Sequence, residues 1–526
     1  MTHARKQGPD HKASQTIILE FSTGKVGLRF FSSVLYLRGR EVTTQPFVNI
    51  EGDVFCWNGE VFEGLQVGEE ENDGALLFQA LSAAQDPRDV IGQLEGPYAF
   101  RSARRLYFAR DPLGRRSLLK HESSEGLLLA SVGIDKTLHP EEVDPLTIQY
   151  VDLEKFAVSD LEGAMGSLPR AVPGARPEWM KPQDINLRIP ASTEDFLDTL
   201  EESVRLRVQH IPRMNKQENT DSRVAVLFSG GVDCTLLAGL AHRCLPLEEG
   251  IDLLNVAFEN PRKLGLAEKQ GAKKGRKQKP DEAGDGNGKL PEDEEADKYA
   301  VPDRATGLDA VAELREVCPG RRWNFVAVDV PYDECVLHQP RVEQLMHPSD
   351  TVMDLSLANA LYFASRGVGR CQTAAGGDWA AYKSPARVLL SGLGADEQLG
   401  GYSRHRRAFQ RAGWKGLVEE LQMDIDRLPA RNLGRDDRVI SSWRKETRYP
   451  YLSLSFIALL SSLPVEQKLN PLLPEGEGDK RLLRLAAASL GLCRAAGRRK
   501  RAMQFGSRSA RMGEQDRKGH LRLEDI

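Results

Sequence analysis

The chain has 526 residues, enough for two to four domains at about 150 residues each. Its 72 Lys/Arg against 76 Asp/Glu give a net charge of −4, which speaks against a nucleic-acid partner, and 40% hydrophobic with 28% charged residues speaks against wholesale disorder. No apolar run reaches the ~18 residues of a membrane span, no signal sequence opens the chain, and seven scattered cysteines form no C-x-x-C pair; a cytoplasmic protein without disulfides is expected.

After a polar start, residues 16–129 read as short β segments: TIILEF, VGLRF, VLYLRG, VFCWNGEVF, YAFRSA, RLYFAR, SLLKH and LLLAS. Turn residues at short intervals predict packed antiparallel sheets, interrupted by one helix over Gly74–Ala83. Residues 161–190, rich in Pro and Gly, predict a linker between a first domain (1–160) and a second (191–526). In the second, Phe196, Leu200, Val204 and Val208 recur at helical spacing, with Ser192 or Thr193 placed to cap. Strands RVAVLF (223–228), DLLNVAF (252–258), WNFVAVDV (323–330) and RVLLS (387–391) then alternate with helices near 235–245, 308–317 and 354–366. This alternation predicts a parallel α/β sheet. Residues 261–300 interrupt it with a basic block followed by an acidic one, and predict a disordered, solvated insertion.

Two segments carry chemistry. In Leu227-Phe228-Ser229-Gly230-Gly231-Val232-Asp233 an apolar strand runs through Ser-Gly-Gly into a helix. Successive backbone N–H groups in such a turn make a concave anion site, and the helix N-terminus adds positive potential. Ser229, Gly230 and Gly231 are therefore expected to bind the phosphates of ATP, with Asp233 beside a phosphate-bound Mg²⁺. No lysine follows, so this is not the G-x-x-x-x-G-K-S/T loop. In Ser391-Gly392-Leu393-Gly394-Ala395-Asp396-Glu397 a second strand ends beside paired carboxylates, and carboxylates near a triphosphate call for a divalent cation. Asp233 and Asp396 are the expected metal ligands.

S-G-G-x-D resembles the loop of the ATP pyrophosphatases. With the second segment some 160 residues later, the chain resembles the asparagine synthetase family. The resemblance extends over LRGREVTTQP (37–46), WNGEVF (57–62), ENDGALLF (71–78), RDPLGRRSLL (110–119), VPDRATG (301–307), GYSRHR (401–406), ETRYPYL (446–452), LLRLAA (482–487) and KRAMQFGSR (500–508). It implies an N-terminal αββα sandwich of the N-terminal-nucleophile glutaminase type, then a parallel-sheet synthetase domain. It further implies that ATP adenylates the β-carboxylate of aspartate and that ammonia, from glutamine or free, displaces AMP to give asparagine. Asp396, Glu397 and Lys500 then match catalytic positions. Asn58 and Gly59 match oxyanion-hole donors, Asp73 the partner of the glutamine amino group and Arg38 that of its carboxylate. The resemblance allows a homodimer.

Several positions depart from that pattern. The family's glutaminase nucleophile is an N-terminal cysteine, whereas this sequence begins Met-Thr-His, and Cys56 is internal. Gln7-Gly8-Pro9-Asp10 resembles a segment that normally lies well inside the domain, so the sequence is expected to start late and to lack glutaminase activity. Leu393 stands where asparagine synthetases carry a glutamate, Cys234 replaces a serine, Ser356 lies near an expected arginine and Ser453 replaces an aspartate. Three readings stay open: an ammonia-dependent amidating enzyme, a nucleotide-binding pseudoenzyme, and an adenylating ligase with another substrate.

Overall fold

A computed structural model describes residues 8–523 apart from 92–93, 95–97, 103, 125, 134, 171–191, 214–221, 260–297, 374–375 and 513–518. Its N-terminal part begins with a long antiparallel hairpin, β1 (His11–Phe21) and β2 (Gly24–Val34). A six-stranded antiparallel sheet follows, built from β3 (Phe47–Val48), β4 (Val54–Trp57), β5 (Tyr98–Ser102), β6 (Arg105–Ala109), β10 (Thr147–Asp152) and β11 (Met165–Pro169). A third sheet joins β7 (Leu119–Ser123), β8 (Gly126–Ala130) and β9 (Glu141–Glu142). The expected helix forms as α1 (Asp73–Ala83), with Asn72 capping the Ala75 N–H. It buries Leu77, Phe78 and Leu81 on Phe55 and Trp57.

Two segments depart from the predicted elements. VLYLRG is not a strand beyond Val34, because the Tyr36 N–H is taken by the Asp10 carboxylate instead of a neighbouring strand. The expected linker begins later than residue 161: Leu161–Ala164 is helical and Met165–Pro169 adds an edge strand to β10. The remainder of the linker, and the charged insertion as far as residue 297, lie outside the described residues. Of the insertion's last three residues, Tyr299 is buried with Ala257 and Val301.

The C-terminal part is the α/β unit that the alternating pattern predicts. Its seven-stranded sheet runs β16 (Ala380–Lys383), β15 (Val368–Gln372), β14 (Trp323–Val330), β13 (Ile251–Phe258), β12 (Val224–Leu227), β17 (Val388–Leu390), β18 (Glu446–Arg448). The five strands from β14 to β18 in that order are parallel, and β15–β16 is an antiparallel hairpin on the edge. Every residue of β13 is buried, as a central strand covered on both faces requires. One face carries α2 (Thr193–Val208), α3 (Val232–Cys244) and α4 (Pro302–Val317); Phe196, Leu200, Leu236, Leu237 and Leu314 share one core with Val224 and Val226. The other face carries α5 (Tyr332–Met346) and α6 (Val352–Arg366) over Leu254, Val326 and Val328. The helix α7 (Ala395–Leu399) and α8 (Ser403–Arg431), the latter broken at Ala412–Gly413, lead to α9 (Leu433–Ser441), α10 (Leu454–Ser462) and α11 (Arg481–Ser489). Among the described residues no helix is long and apolar enough to cross a membrane.

Charged side chains join the two parts. Arg448, buried, pairs with Glu60 (3.1 Å) and Glu446 (2.7 Å) and lies 5.2 Å from the centre of the Phe62 ring. Arg116 bridges to Asp437 and Glu446, while Glu142 takes both Arg110 and Arg438. Asp10, from the Gly-Pro-Asp segment, grips Arg387 at the foot of β17.

Candidate nucleotide and carboxylate site

β12 lies between β13 and β17, so its carboxyl end opens where ligands of open α/β sheets bind. There the chain turns through Ser229-Gly230-Gly231 into α3, whose N-cap, Gly231, has no side chain with which to occupy the first helical N–H groups. Gly230 has φ +80°, and a Cβ on it would stand 2.4 Å from the Thr306 carbonyl oxygen. Thr306 Oγ1 donates to the Ser229 carbonyl (2.9 Å) and Asn255 Nδ2 to that of Phe228 (2.9 Å), so α4 and β13 brace the turn. Cys234 is buried beneath it, Sγ facing the Gly231 carbonyl, and burial pushes its thiol up.

Gly230→Ala is expected to push α4 off the turn and to force a left-handed alanine, which costs about 1–2 kcal/mol. A rise in the ATP dissociation constant of roughly tenfold or more, measured by equilibrium titration, checks it.

The second expected segment follows β17 and touches the first: a Cβ on Gly392 would lie 3.0 Å from that of Asp233. Asp396 and Asp233 are brought together, but not around an open space. Lys480, whose side chain is 1% exposed, places Nζ 2.8 and 2.7 Å from the two Asp233 oxygens and 2.7 Å from Asp396 Oδ1. Lys500 pairs with the other Asp396 oxygen and lies 5.8 Å from the Tyr402 ring centre. Although burial alone would raise the Asp396 carboxyl, Lys480 and Lys500 hold it well below the usual range. Burial alone would lower the Lys480 ammonium, and the two aspartates raise it.

Glu397 turns away from this group. It accepts the Gly394 N–H (3.1 Å) and the Tyr402 hydroxyl (2.5 Å), and burial, with Asp396 beside it, pushes it up. Lys480 escaped the sequence reading because its partners lie 247 and 84 residues away; its place just before LLRLAA was the only local signal. Asp303, in VPDRATG, was likewise passed over. It is buried 3.7 Å from Arg501, its Oδ2 has no hydrogen-bond partner, and burial pushes it up to about 7.

Among the described residues no cluster of three or more His, Cys, Asp or Glu converges. Two carboxylates at the Ser-Gly-Gly turn nevertheless have the chemistry of a Mg²⁺ donor set, since Mg²⁺ characteristically takes one or two carboxylates together with phosphate oxygens.

In the N-terminal part, Asp73 is buried, with Oδ2 accepting the Val61 N–H and Oδ1 the Gly74 N–H (both 2.8 Å); burial pushes its carboxyl up against those bonds and Arg38. Arg38, also buried, reaches Glu60 at 3.3 Å and keeps Nε without a partner. Asn58 and Gly59 occupy the turn after β4, immediately before Glu60. Arg38, Asp73 and this turn thus share one neighbourhood. Cys56 lies in β4, where burial pushes its thiol up to about 12; a thiol so weakly acidic is a poor nucleophile. Leu393 packs beside Leu113, Tyr449, Leu452 and Ile457.

Comparison with known proteins finds the family described as asparagine synthase matching residues 409–522. The chain is 37% identical to asparagine synthetase domain-containing protein 1 of Mus musculus over 570 residues, covering 93% of this chain and 90% of that protein. It is 35% identical to the protein of the same name in Gallus gallus, covering 98% and 94%. A glutamine phosphoribosylpyrophosphate amidotransferase from B. subtilis is matched at TM-score 0.23 and 14% identity, over 49% of this chain and 62% of that one.

Proposed function

The chain belongs to the asparagine synthetase domain-containing protein 1 family, and on that premise we propose that it is an ATP-dependent amidating enzyme that converts aspartate to asparagine. The observation that carries this reading is the gathering of Asp233, Asp396, Lys480 and Lys500 at one glycine turn, drawn from four separate segments. A carboxylate is a poor electrophile, and adenylation gives it AMP as a leaving group. In the first step an oxygen of the substrate β-carboxylate attacks the α-phosphorus of ATP, and pyrophosphate leaves. In the second, ammonia attacks the acyl carbon, loses a proton, and AMP leaves with the bond electrons.

The Ser229–Gly231 backbone receives phosphate oxygens, and α3 adds its positive end. Lys500, tied to Asp396 yet 27% exposed, supplies positive charge to the α-phosphate as its negative charge grows. Asp233 and Asp396 would hold Mg²⁺, which when bound withdraws charge from the departing pyrophosphate. Arg38, Asn58, Gly59 and Asp73 are proposed to bind glutamine, while free ammonia is the nitrogen source expected to support synthesis in this chain.

The test is the purified chain with ATP, Mg²⁺, aspartate and either ammonium or glutamine, monitoring pyrophosphate and asparagine. Aspartate-dependent release of both is expected with ammonium. Absence of aspartate-dependent pyrophosphate sinks the reading.

Leu393 favours a second reading, in which another carboxylic acid is adenylated, because its apolar packing leaves no acidic group at that position. Pyrophosphate released only with a different acid selects it. Leu393→Glu is expected to bury a carboxylate in that apolar cluster, costing about 2–4 kcal/mol without raising asparagine yield. Denaturant unfolding and product analysis together check it.

A further inference from the structure

The space between Asp233 and Asp396 is taken by an ammonium. Lys480 Nζ makes three contacts of 2.7–2.8 Å with carboxylate oxygens from the first turns of two helices, α3 and α7. The surrounding backbone is shaped to this pairing. A Cβ on Gly401 would come within 1.9 Å of Asp396 Oδ1 and 2.7 Å of Lys480 Cε, so the second glycine of Gly400-Gly401 leaves the room in which the pair meets. Lys480 itself adopts φ +51°, a conformation that lysine disfavours, and its N–H is fixed to the Leu399 carbonyl at 3.1 Å. Its main chain is therefore anchored, and the four-carbon stem is the part free to swing.

We propose that Lys480 is the resident cation of the phosphate site: it neutralises Asp233 and Asp396 while nucleotide is absent, and yields the gap between them to a divalent cation arriving with the triphosphate. This rests on reading the two aspartates as metal ligands. Asp396 does not lose its protein counter-charge in the exchange, because Lys500 holds its other oxygen. Two carboxylates facing each other without a cation repel, so something positive must stand between them at every stage. An internal ammonium lets the empty chain fold without metal, and it makes metal and nucleotide enter together.

The experiment uses the full chain and Mn²⁺ as the probe, by calorimetric titration and by thermal unfolding in chelator and in Mn²⁺. Without ATP, the wild type is expected to bind Mn²⁺ weakly and to melt at the same temperature with and without it. K480M is expected to bind Mn²⁺ about tenfold more tightly or better, to melt lower in chelator, and to recover on adding Mn²⁺. The double variant K480M/D233N, with one carboxylate removed as well, is expected to melt above K480M in chelator and to ignore Mn²⁺. Equal Mn²⁺ affinity of K480M and wild type without ATP overturns the role of Lys480. A D396N chain that binds ATP with Mn²⁺ as tightly as wild type overturns the metal reading itself, a distinct result. Should K480M fail to fold in chelator, refolding in Mn²⁺ must recover it, and failure there also overturns the proposal.

Discussion

Asp396→Asn is expected to lower pyrophosphate release by about 10²–10³-fold and to destabilise the folded chain in the same stroke. Asparagine keeps the shape of the side chain but removes the charge that two lysines share. Lys480 then keeps only Asp233, and Lys500 loses its carboxylate partner. Breaking a buried ion pair from one side costs about 3–5 kcal/mol, because the remaining charge stays buried. The pH dependence separates this effect from a packing defect. Asp396 is held below its unfolded value, so its contribution is present above the ordinary aspartate pKa of about 4 and is lost as pH falls through the lowered folded value. Lys480 is raised, so its contribution is present below the ordinary lysine pKa of about 10 and is lost as pH rises through the raised one. The stability difference between wild type and D396N should therefore be level between roughly pH 5 and pH 10 and should shrink in acid. Thermal unfolding across that range, paired with a pyrophosphate assay, reads both effects.

The second large effect is expected at the seam between the two parts. Arg448→Ala should cost about 3–5 kcal/mol and split a single denaturant transition into two. Arg448 answers Glu60 from the N-terminal part and Glu446 from its own strand, and it donates to the Arg207 carbonyl at 2.7 Å. Its removal leaves Glu60, buried beside Asp73, with Arg38 as its remaining ion-pair partner among the described residues. Arg448→Lys keeps the charge but loses the planar fork and the stacking on Phe62, and should recover only part of the loss. The seam also has chemistry on both sides: the Arg448 carbonyl accepts the Ser391 N–H at 3.0 Å, at the entrance to the segment that carries Asp396. R448A should accordingly lower synthesis as well as stability, and R448K should show whether the two effects move together.

How much of this was legible in the sequence depended on range. RVAVLF, DLLNVAF and WNFVAVDV announced themselves because a strand buried on both faces is a continuous apolar run, and β12, β13 and β14 formed there. The Ser-Gly-Gly turn was legible for the same local reason: Gly230 sits where a side chain would strike α4. The edge hairpin β15–β16, with residues such as Gly369, Arg370 and Ala380, carries no strong strand pattern and was missed. VLYLRG misled because Leu35 and Leu37 are apolar for packing, while the hydrogen bonds of that backbone go to side chains. Lys480 was invisible for a different reason. A lysine ordinarily marks a solvated surface, and only the fold reveals two carboxylates waiting for it.

The split origin of that ion group has a consequence for how the protein is made. Both aspartates precede both lysines along the chain, and 84 residues separate Asp396 from Lys480. At a synthesis rate of about 5–20 residues per second, the ribosome takes roughly 4–17 s to pass from one to the other. Throughout that interval the emerging sheet carries an unanswered pair of negative charges at the mouth of β12 and β17. The α/β unit therefore has a reason to stay loosely assembled until Lys480 and Lys500 appear, and a ribosome stalled before residue 480 should present a nascent chain more open to protease than its length alone would suggest.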